Sequence, residues 1–158
     1  MLTGLTPRKY QTSIFEKACS YNTLVVLPTG LGKTAIAMML AARRLLLYPD
    51  SKILIVAPTK PLVEQHAMSF RDSFALAEDE FAVFTGSVSP SKRHALWSQA
   101  KIIFSTPQAL ENDVLSAKLS LSDVSLLVVD EAHRATGDYA YVFLADEYRK
   151  TASHARIL

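Results

Sequence analysis

The stretch Pro28-Thr29-Gly30-Leu31-Gly32-Lys33-Thr34 determines how the rest of this 158-residue chain is interpreted. It follows an apolar run, residues 23–27, and opens a helix-length segment, residues 33–47. A glycine-rich turn between a strand and a helix, ending in Lys-Thr, is typical of a phosphate-binding loop, because backbone N–H groups at a helix N-terminus bind anions. The full pattern has glycine at position 27, where this chain has Leu27, and an ordinary glycine-rich turn is the alternative interpretation.

Further apolar runs predict the rest of a sheet. Residues 52–57, 101–105 and 125–129 are rich in Val, Ile and Leu, and a weaker run spans residues 80–84. Runs without polar alternation are expected where helices cover both faces of a parallel sheet. The segments of helix length between them are residues 33–47, 61–74, 90–99, 107–117 and 138–150. The alternation predicts one α/β domain over residues 1–158, with a mostly parallel sheet and helices on both faces.

Composition narrows the class of protein without naming a partner. The chain is 49% hydrophobic and 20% charged, as expected of a domain with a buried core. Neither an apolar stretch of 18 residues nor a secretory signal pattern is found, so we expect a cytoplasmic protein without a membrane partner. Cys19 is the single cysteine, and His66, His94 and His154 lack metal-ligand spacing. A net charge of +2 is too small to indicate nucleic acid.

Three predicted strands leave the sheet through similar turns. These are Pro28-Thr29, Pro58-Thr59 and Thr106-Pro107, and Thr106 is predicted to be a helix N-cap followed by proline at the first helical position. The exits should therefore meet at the carboxyl edge of the sheet, where open α/β sheets bind ligands. Arg43 and Arg44 interrupt an apolar helix and are predicted to form its solvated side.

Two acids, Asp130 and Glu131, follow the apolar run 125–129. Beside a phosphate-binding loop, Lys33 would reach the β- and γ-phosphates, while Thr34 and Asp130 would hold Mg²⁺. Glu131 would activate the attacking water. Taken alone, such an acidic pair is more often the N-cap and first turn of the next helix.

The motifs together resemble those of superfamily 2 helicases. Asp130-Glu131-Ala132-His133 resembles motif II of the DEAH type, and the loop at 28–34 resembles motif I. Residues 57–65 resemble motif Ia, Ser105-Thr106-Pro107-Gln108 resembles motif Ib, and Arg8-Lys9-Tyr10-Gln11 resembles the upstream Q-type motif. Residues 130–148 are most similar to the archaeal Hef helicases and their Fanconi anaemia M-type relatives, which remodel branched DNA at replication forks.

The resemblance implies a RecA-like P-loop NTPase domain that binds ATP and Mg²⁺. It implies nucleotide binding by Arg8, Gln11, Thr29, Gly30, Leu31, Gly32, Lys33 and Thr34. It implies catalytic roles for Lys33, Asp130, Glu131 and His133, with Thr34 and Asp130 at the metal. It implies contacts to the DNA backbone from Thr59, Lys60, Thr106 and Pro107. In such motors Gln11 would read the adenine edge and His133 would face the γ-phosphate.

The resemblance also implies a partner that this stretch does not contain. Superfamily 2 motors hydrolyse ATP between two RecA-like domains, and no residue here matches motif III or the arginine fingers of the second domain. We therefore expect an ATP-dependent DNA helicase or translocase acting on forked or branched DNA, associated with the nucleoid, whose first domain alone hydrolyses ATP poorly. Residues 155–158 are expected to begin a central strand between the runs 23–27 and 125–129.

Three other functions stay open on these residues. An RNA-directed motor of the RNA-sensor or Dicer type has similar first-domain motifs, and matched DNA and RNA substrates would separate the two. A P-loop kinase or GTPase-like switch would not need the DEAH acids or the paired Pro-Thr exits. A non-catalytic nucleotide-binding module is the third alternative.

Overall fold

The computed structural model describes residues 2–135, 137 and 139–158. Within these residues helices and strands alternate along the chain, as the sequence predicts. The helices are α1 Lys9–Ser20, α2 Lys33–Leu47, α3 Lys60–Ser73, α4 Pro90–Gln99, α5 Pro107–Leu115 and α6 Tyr139–Thr151. The strands are β1 Lys52–Val56, β2 Phe81–Phe84, β3 Ile102–Ser105 and β4 Val124–Val129. Short 3₁₀ turns occupy Glu78–Glu80 and Ala132–Ala135.

The four strands form one parallel sheet in the order β2-β3-β1-β4. Ile53 of β1 pairs with Ile102 of β3 on one side and with Leu126 of β4 on the other. Because all four strands run in the same direction, their carboxyl ends share one edge. The predicted parallel α/β fold is confirmed.

Two hydrophobic cores lie on opposite faces of this sheet. Ile55 and Phe104 point into the core that contains residues of α1, α2 and α3. Leu54 and Ile103 point into the other core, with side chains of α4, α5 and α6. Successive strand residues are buried on both faces, which explains why the strands lack polar alternation.

The prediction of a buried strand at residues 23–27 is wrong. Residues 22–28 have no regular secondary structure, and Leu24 and Val26 are 75% and 82% exposed. Thr23 N donates to Ile157 O at 3.0 Å, and among the described residues the ladder goes no further along this run. An apolar run becomes a strand only where a neighbouring backbone continues the hydrogen bonding.

The expected position of residues 155–158 is confirmed. Ile157 pairs in parallel with Leu127 of β4, and on its other side Ile157 N donates to Asn22 Oδ1 at 2.9 Å. Leu127 N and Val129 N of β4 donate to Arg156 O and Leu158 O of this segment. Leu158 N donates in return to Leu127 O. The segment therefore lies between β4 and the run 23–27, as a single bridge rather than a full strand.

Two other details differ from the sequence predictions. Helix α1 was not predicted, because Gln11 and Ala18 are its only fully buried residues and its apolar pattern is weak. Arg44 is buried instead of solvated, and its Nε donates to Ser125 O at 2.9 Å. Its hydrogen bonds compensate for the burial of the charge. In the described part of the chain, no helix has both the length and the hydrophobicity to cross a bilayer.

Candidate active site

The predicted phosphate loop has the backbone geometry that its glycines allow. Gly30 has φ 82° and Gly32 has φ 75°, both in the left-handed region that disfavours other residues. Gly32 is the N-cap of α2, so the loop leads directly into a helix N-terminus. A Cβ at Gly30 would meet no atom within 4 Å, whereas a Cβ at Gly32 would collide with Gln11 Nε2. The loop is therefore open on the side of Gly30 and closed on the side of Gly32.

Helix α1 fixes the far side of this loop. The Gln11 amide Nε2 donates to Leu31 O at 3.2 Å and to Gly32 O at 3.3 Å, and Tyr10 Oη donates to Leu31 O at 2.8 Å. Gln11 Oε1 accepts from Arg8 N at 2.8 Å, which closes the first turn of α1. Gln11 is buried and Arg8 is exposed. The predicted nucleotide-binding pair is thus brought to the loop, with the Gln11 amide bound to loop carbonyls.

Lys33 and Thr34 form the first turn of α2, next to the loop glycines. Lys33 is exposed, and its Nζ donates to Leu27 O at 3.2 Å, across the base of the loop. Thr29 is exposed at the preceding turn. An exposed ammonium and a hydroxyl at a helix N-terminus are the groups expected to bind a phosphate and its Mg²⁺.

Asp130 lies at the carboxyl end of β4 and is fixed through both its backbone and its side chain. Asp130 N donates to Val56 O of β1 at 2.9 Å, and Asp130 Oδ2 lies 2.8 Å from Nε2 of His66 on α3. The hydrogen bond from His66 lowers the pKa of Asp130 below its ordinary value, against the opposing effect of partial burial. The charge of Lys33 acts in the same direction as His66. Asp130 is therefore ionised at neutral pH, as a cation ligand must be.

Glu131 and His133 extend the acidic end of β4. Glu131 has φ 54°, an uncommon conformation for a residue with a side chain. Its Oε2 lies 3.3 Å from His133 Nε2, and the His133 side chain is 73% exposed. Strained backbone of this kind is concentrated at functional sites. Both side chains are accessible to a ligand at this edge of the sheet.

The donor set fits Mg²⁺ carried by a nucleotide better than a metal held by protein alone. Within the described residues, no group of three or more His, Cys, Asp and Glu side chains is arranged to hold a metal. Mg²⁺ is usually bound through one or two carboxylates together with phosphates and water, and Asp130 with Thr34 supplies such a partial set.

The residues predicted to contact DNA lie at the same edge of the sheet. Thr59 and Thr106 are the N-caps of α3 and α5, although neither hydroxyl makes a side-chain cap bond. Lys60 is 55% exposed and lies 3.7 Å from Glu64, a surface pair of little energetic weight. Pro107 is buried, so it shapes the start of α5 rather than presenting its ring to a ligand.

A buried ion pair supports the loop beside Thr106. The guanidinium of Arg93 bonds both carboxylate oxygens of Asp113, at 2.5 and 2.8 Å, and both side chains are buried. The same guanidinium donates to Val88 O. The loop that follows β2 is therefore attached to α4 and α5, which lie beneath it.

These elements bring a phosphate loop, a strand-end Asp-Glu pair and two helix N-termini to one edge of a parallel sheet. Comparison with known families matches the DEAD/DEAH box helicase family over residues 8–156. The chain belongs to the DEAD/DEAH box helicase family.

Individual relatives support this helicase assignment. The Hef helicase domain of Pyrococcus furiosus superimposes with a TM-score of 0.92 at 54% identity, over 96% of this chain and 32% of that one. A putative ATP-dependent RNA helicase of Methanocaldococcus jannaschii is 43% identical over 92% of this chain and 18% of its own length. A DEAD-box ATP-dependent DNA helicase, Fancm, of Drosophila melanogaster is 41% identical over 90% of this chain and 10% of its own. The helicase domain described here thus spans a third or less of these proteins.

Two residues of the helicase site were missed by sequence reasoning. Tyr10 bonds the phosphate loop, and His66 bonds the motif II aspartate. Tyr10 stands next to Gln11 in the Q-type motif, a signal that could have identified it. His66 was assigned no role because it has no sequence neighbour suited to bind a metal.

Proposed function

We propose that this helicase domain is the first of two RecA-like domains of an ATP-dependent motor that acts on forked or branched DNA. The observation that supports it best is the meeting of two kinds of site at one sheet edge. The nucleotide residues Lys33, Thr34 and Asp130 lie at the same edge as the helix N-termini at Thr59, which is exposed, and Thr106, which is half-buried. A motor needs both, because hydrolysis must alter its grip on the strand.

Each nucleotide residue has a role that its position supports. Lys33 would bind the β- and γ-phosphates of a nucleotide, and the loop glycines would allow backbone N–H groups to approach them. Gln11 lies beside the loop with its amide on the Leu31 carbonyl, and we propose that it reads the adenine edge there with Arg8 next to it. Mg²⁺, when bound with the nucleotide, neutralises phosphate charge as it develops. Asp130 and Thr34 would hold that ion, and Glu131 would accept the proton of the attacking water. His133, next to Glu131, would face the γ-phosphate.

Efficient hydrolysis requires the second domain. An arginine finger contributes about 10³- to 10⁵-fold in rate, and we assign none to this chain. The domain alone should bind ATP and Mg²⁺ and hydrolyse ATP slowly. Turnover by this chain at the rate of a complete motor would contradict the two-domain proposal.

The roles of Lys33 and Glu131 can be separated by substitution. Lys33→Ala removes the phosphate-binding cation, so the affinity for ATP measured by calorimetry should fall. Glu131→Gln keeps the shape of the side chain and removes the base, so ATP affinity should stay within about twofold, while hydrolysis by the complete two-domain enzyme falls by about 10² to 10⁴. Equal losses of affinity in both variants would refute the assignment of roles.

DNA is proposed as the substrate over RNA. The Drosophila relative is named as a DNA helicase, whereas the Methanocaldococcus relative is named as an RNA helicase. Backbone contacts from helix N-termini recognise phosphates and do not read bases, so binding should be independent of sequence. Matched DNA and RNA forks in a fluorescence-anisotropy titration decide between the two. Tighter binding to the RNA fork would favour the RNA-directed alternative.

Lys60 tests the proposed strand contact. Lys60→Ala should weaken DNA binding equally for unrelated sequences and reduce the salt dependence by about 0.9 unit of slope for the lost phosphate contact. Lys150→Ala is the matched control, because Lys150 is an exposed lysine in the last turn of α6, at the opposite edge of the sheet. Equal effects of the two substitutions would mean that binding reflects overall charge.

A further inference from the structure

The contact between His66 and Asp130 joins two elements that are 64 residues apart in sequence. Nε2 of His66 lies 2.8 Å from Asp130 Oδ2, and the two side chains are 17% and 22% exposed. An ionised carboxylate can only accept a hydrogen bond, so Nε2 bears the proton and donates it. An ionised carboxylate has about four lone-pair sites, so the hydrogen bonds from His66 and from the Glu131 backbone leave room for another ligand.

His66 is itself held in place by the packing of α3. Val63, Ala67 and Phe70 on the same helix are buried, and the Phe70 ring lies edge-on to Phe104 of β3 at 5.3 Å. The aspartate backbone is fixed independently by the bond from Asp130 N to Val56 O. Donor and acceptor are therefore both attached to the core of the sheet, and their separation does not depend on a mobile loop.

We propose that His66 is a positioning residue that sets the orientation of the Asp130 carboxylate toward the Mg²⁺ of a bound nucleotide. This inference rests on the proposed nucleotide site. Without the donor, the carboxylate can rotate toward the nearby positive charge of Lys33, which the same site needs for phosphate binding. With Oδ2 held by His66, the carboxylate would keep one orientation, in which its free lone pairs are available to the ion. Hydrogen bonds of this kind to a metal ligand change metal affinity by about 10- to 100-fold when removed.

The test measures how nucleotide binding depends on Mg²⁺, without measuring hydrolysis. A fluorescent ADP analogue is titrated into this chain in EDTA and at a series of Mg²⁺ concentrations. His66→Leu should leave the affinity in EDTA unchanged and raise the Mg²⁺ concentration at half-effect by about tenfold or more. His66→Gln should keep the Mg²⁺ concentration at half-effect close to that of the wild type, because the glutamine amide places a donor close to the position of Nε2. His66→Asn, with a shorter side chain, should not.

A double-mutant cycle with Asp130→Asn provides the specific control. If His66 acts through the carboxylate, His66→Leu should have no further effect on the Mg²⁺ requirement once Asp130 is replaced. Thermal midpoints in EDTA show whether each variant is folded. If His66→Leu is unfolded, the comparison of His66→Gln with His66→Asn gives the same decision.

The outcomes separate this inference from the proposed function. If the wild-type chain binds no nucleotide, the proposed function fails. If the wild type binds with a clear Mg²⁺ dependence and all His66 variants share it, the positioning role is refuted while the nucleotide site stands. An equal loss of affinity in EDTA and in Mg²⁺ would also overturn the proposal, because it would indicate general damage to the loop.

Discussion

Gly30, Gly32 and Glu131 at the nucleotide edge all have positive φ, and Gly32 and Glu131 differ in the cost of a side chain at that position. Gly32 has φ 75° with the amide of Gln11 against its open face, so neither the backbone nor the space admits a Cβ. Glu131 has φ 54° and does have a side chain, which costs about 1 to 3 kcal/mol in strain. Glu131 thus places its carboxylate at the strand end at a cost in backbone strain.

Substituting Gly30 and Gly32 one at a time should distinguish the free-energy cost of backbone strain from that of a steric clash. Gly30→Ala should cost about 1 to 2 kcal/mol for the left-handed backbone alone, because its Cβ would meet open space. Gly32→Ala should cost more, since it must also displace the Gln11 amide from the carbonyls of Leu31 and Gly32. Urea unfolding at equilibrium measures both. Equal costs would mean that Gln11 moves aside freely and does not brace the loop.

Helix α6 and the segment at residues 155–158 are joined by one buried side chain. Tyr148 is fully buried, and its Oη accepts from Arg156 N at 2.8 Å and donates to Arg156 O at 3.2 Å. Burial raises the pKa of Tyr148 to about 12. The helix therefore holds the segment in position for its bridge to β4.

Tyr148→Phe should destabilise the chain by about 1 to 3 kcal/mol, because it leaves the Arg156 N–H without its acceptor. Tyr21→Phe is the matched control: Tyr21 is 68% exposed, and its loss should change stability by less than about 0.5 kcal/mol. Urea unfolding at pH 8 provides the comparison. A Tyr148→Phe variant as stable as the control would show that the bond to Arg156 adds nothing.

Because the pKa of Tyr148 is raised in the folded chain, the difference in unfolding free energy between the wild type and Tyr148→Phe should depend on pH. The folded chain keeps the phenol neutral up to about pH 12, whereas the unfolded chain ionises it near about pH 10. The stability that Tyr148 contributes is thus fully present below about pH 10 and is lost as the pH rises from about 10 to about 12. The deficit of Tyr148→Phe should accordingly narrow between pH 8 and pH 11. A deficit that widened would contradict burial of the neutral phenol.

In the whole domain, the side of the sheet next to β4 is only partly covered by other backbone. Residues 23–27 lead into the phosphate loop without regular secondary structure, Leu24 and Val26 are exposed, and Thr23 bonds the backbone of Ile157. Every residue of β1, in contrast, is buried between β3 and β4. Residues 23–27 and strand β1 are similarly apolar. Because only β1 is buried, β1 should contribute far more to the free energy of folding.

A pair of identical substitutions measures that difference. Leu24→Ala should change the free energy of unfolding by less than about 0.5 kcal/mol, since this side chain is already in water. Leu54→Ala should cost about 2 to 5 kcal/mol, because Leu54 is fully buried in β1. Chemical denaturation of both variants provides the measurement. If Leu24→Ala costs as much as Leu54→Ala, then residues 23–27 are packed as a strand in solution.

Local patterns predicted most of the elements and the placement of the candidate nucleotide residues at one edge of the sheet. Helices α2 and α4 begin and end at the predicted residues, because a glycine N-cap and a Ser-Pro pair mark their starts. The phosphate loop and the acids after β4 lie at the sheet edge where strand exits were expected. These features depend on residues within a few positions of one another, so the sequence pattern contains them.

Contacts between distant segments were not predictable in this way. Whether residues 23–27 form a strand depends on a backbone neighbour more than 130 positions away, and the apolar run alone is the same in either case. The burial of Arg44 depends on a carbonyl of β4, and the role of His66 depends on an aspartate at the end of that strand. Periodicity and capping report the conformation of a segment. Hydrogen bonds between segments form only when packing of the whole sheet brings the donor and the acceptor together.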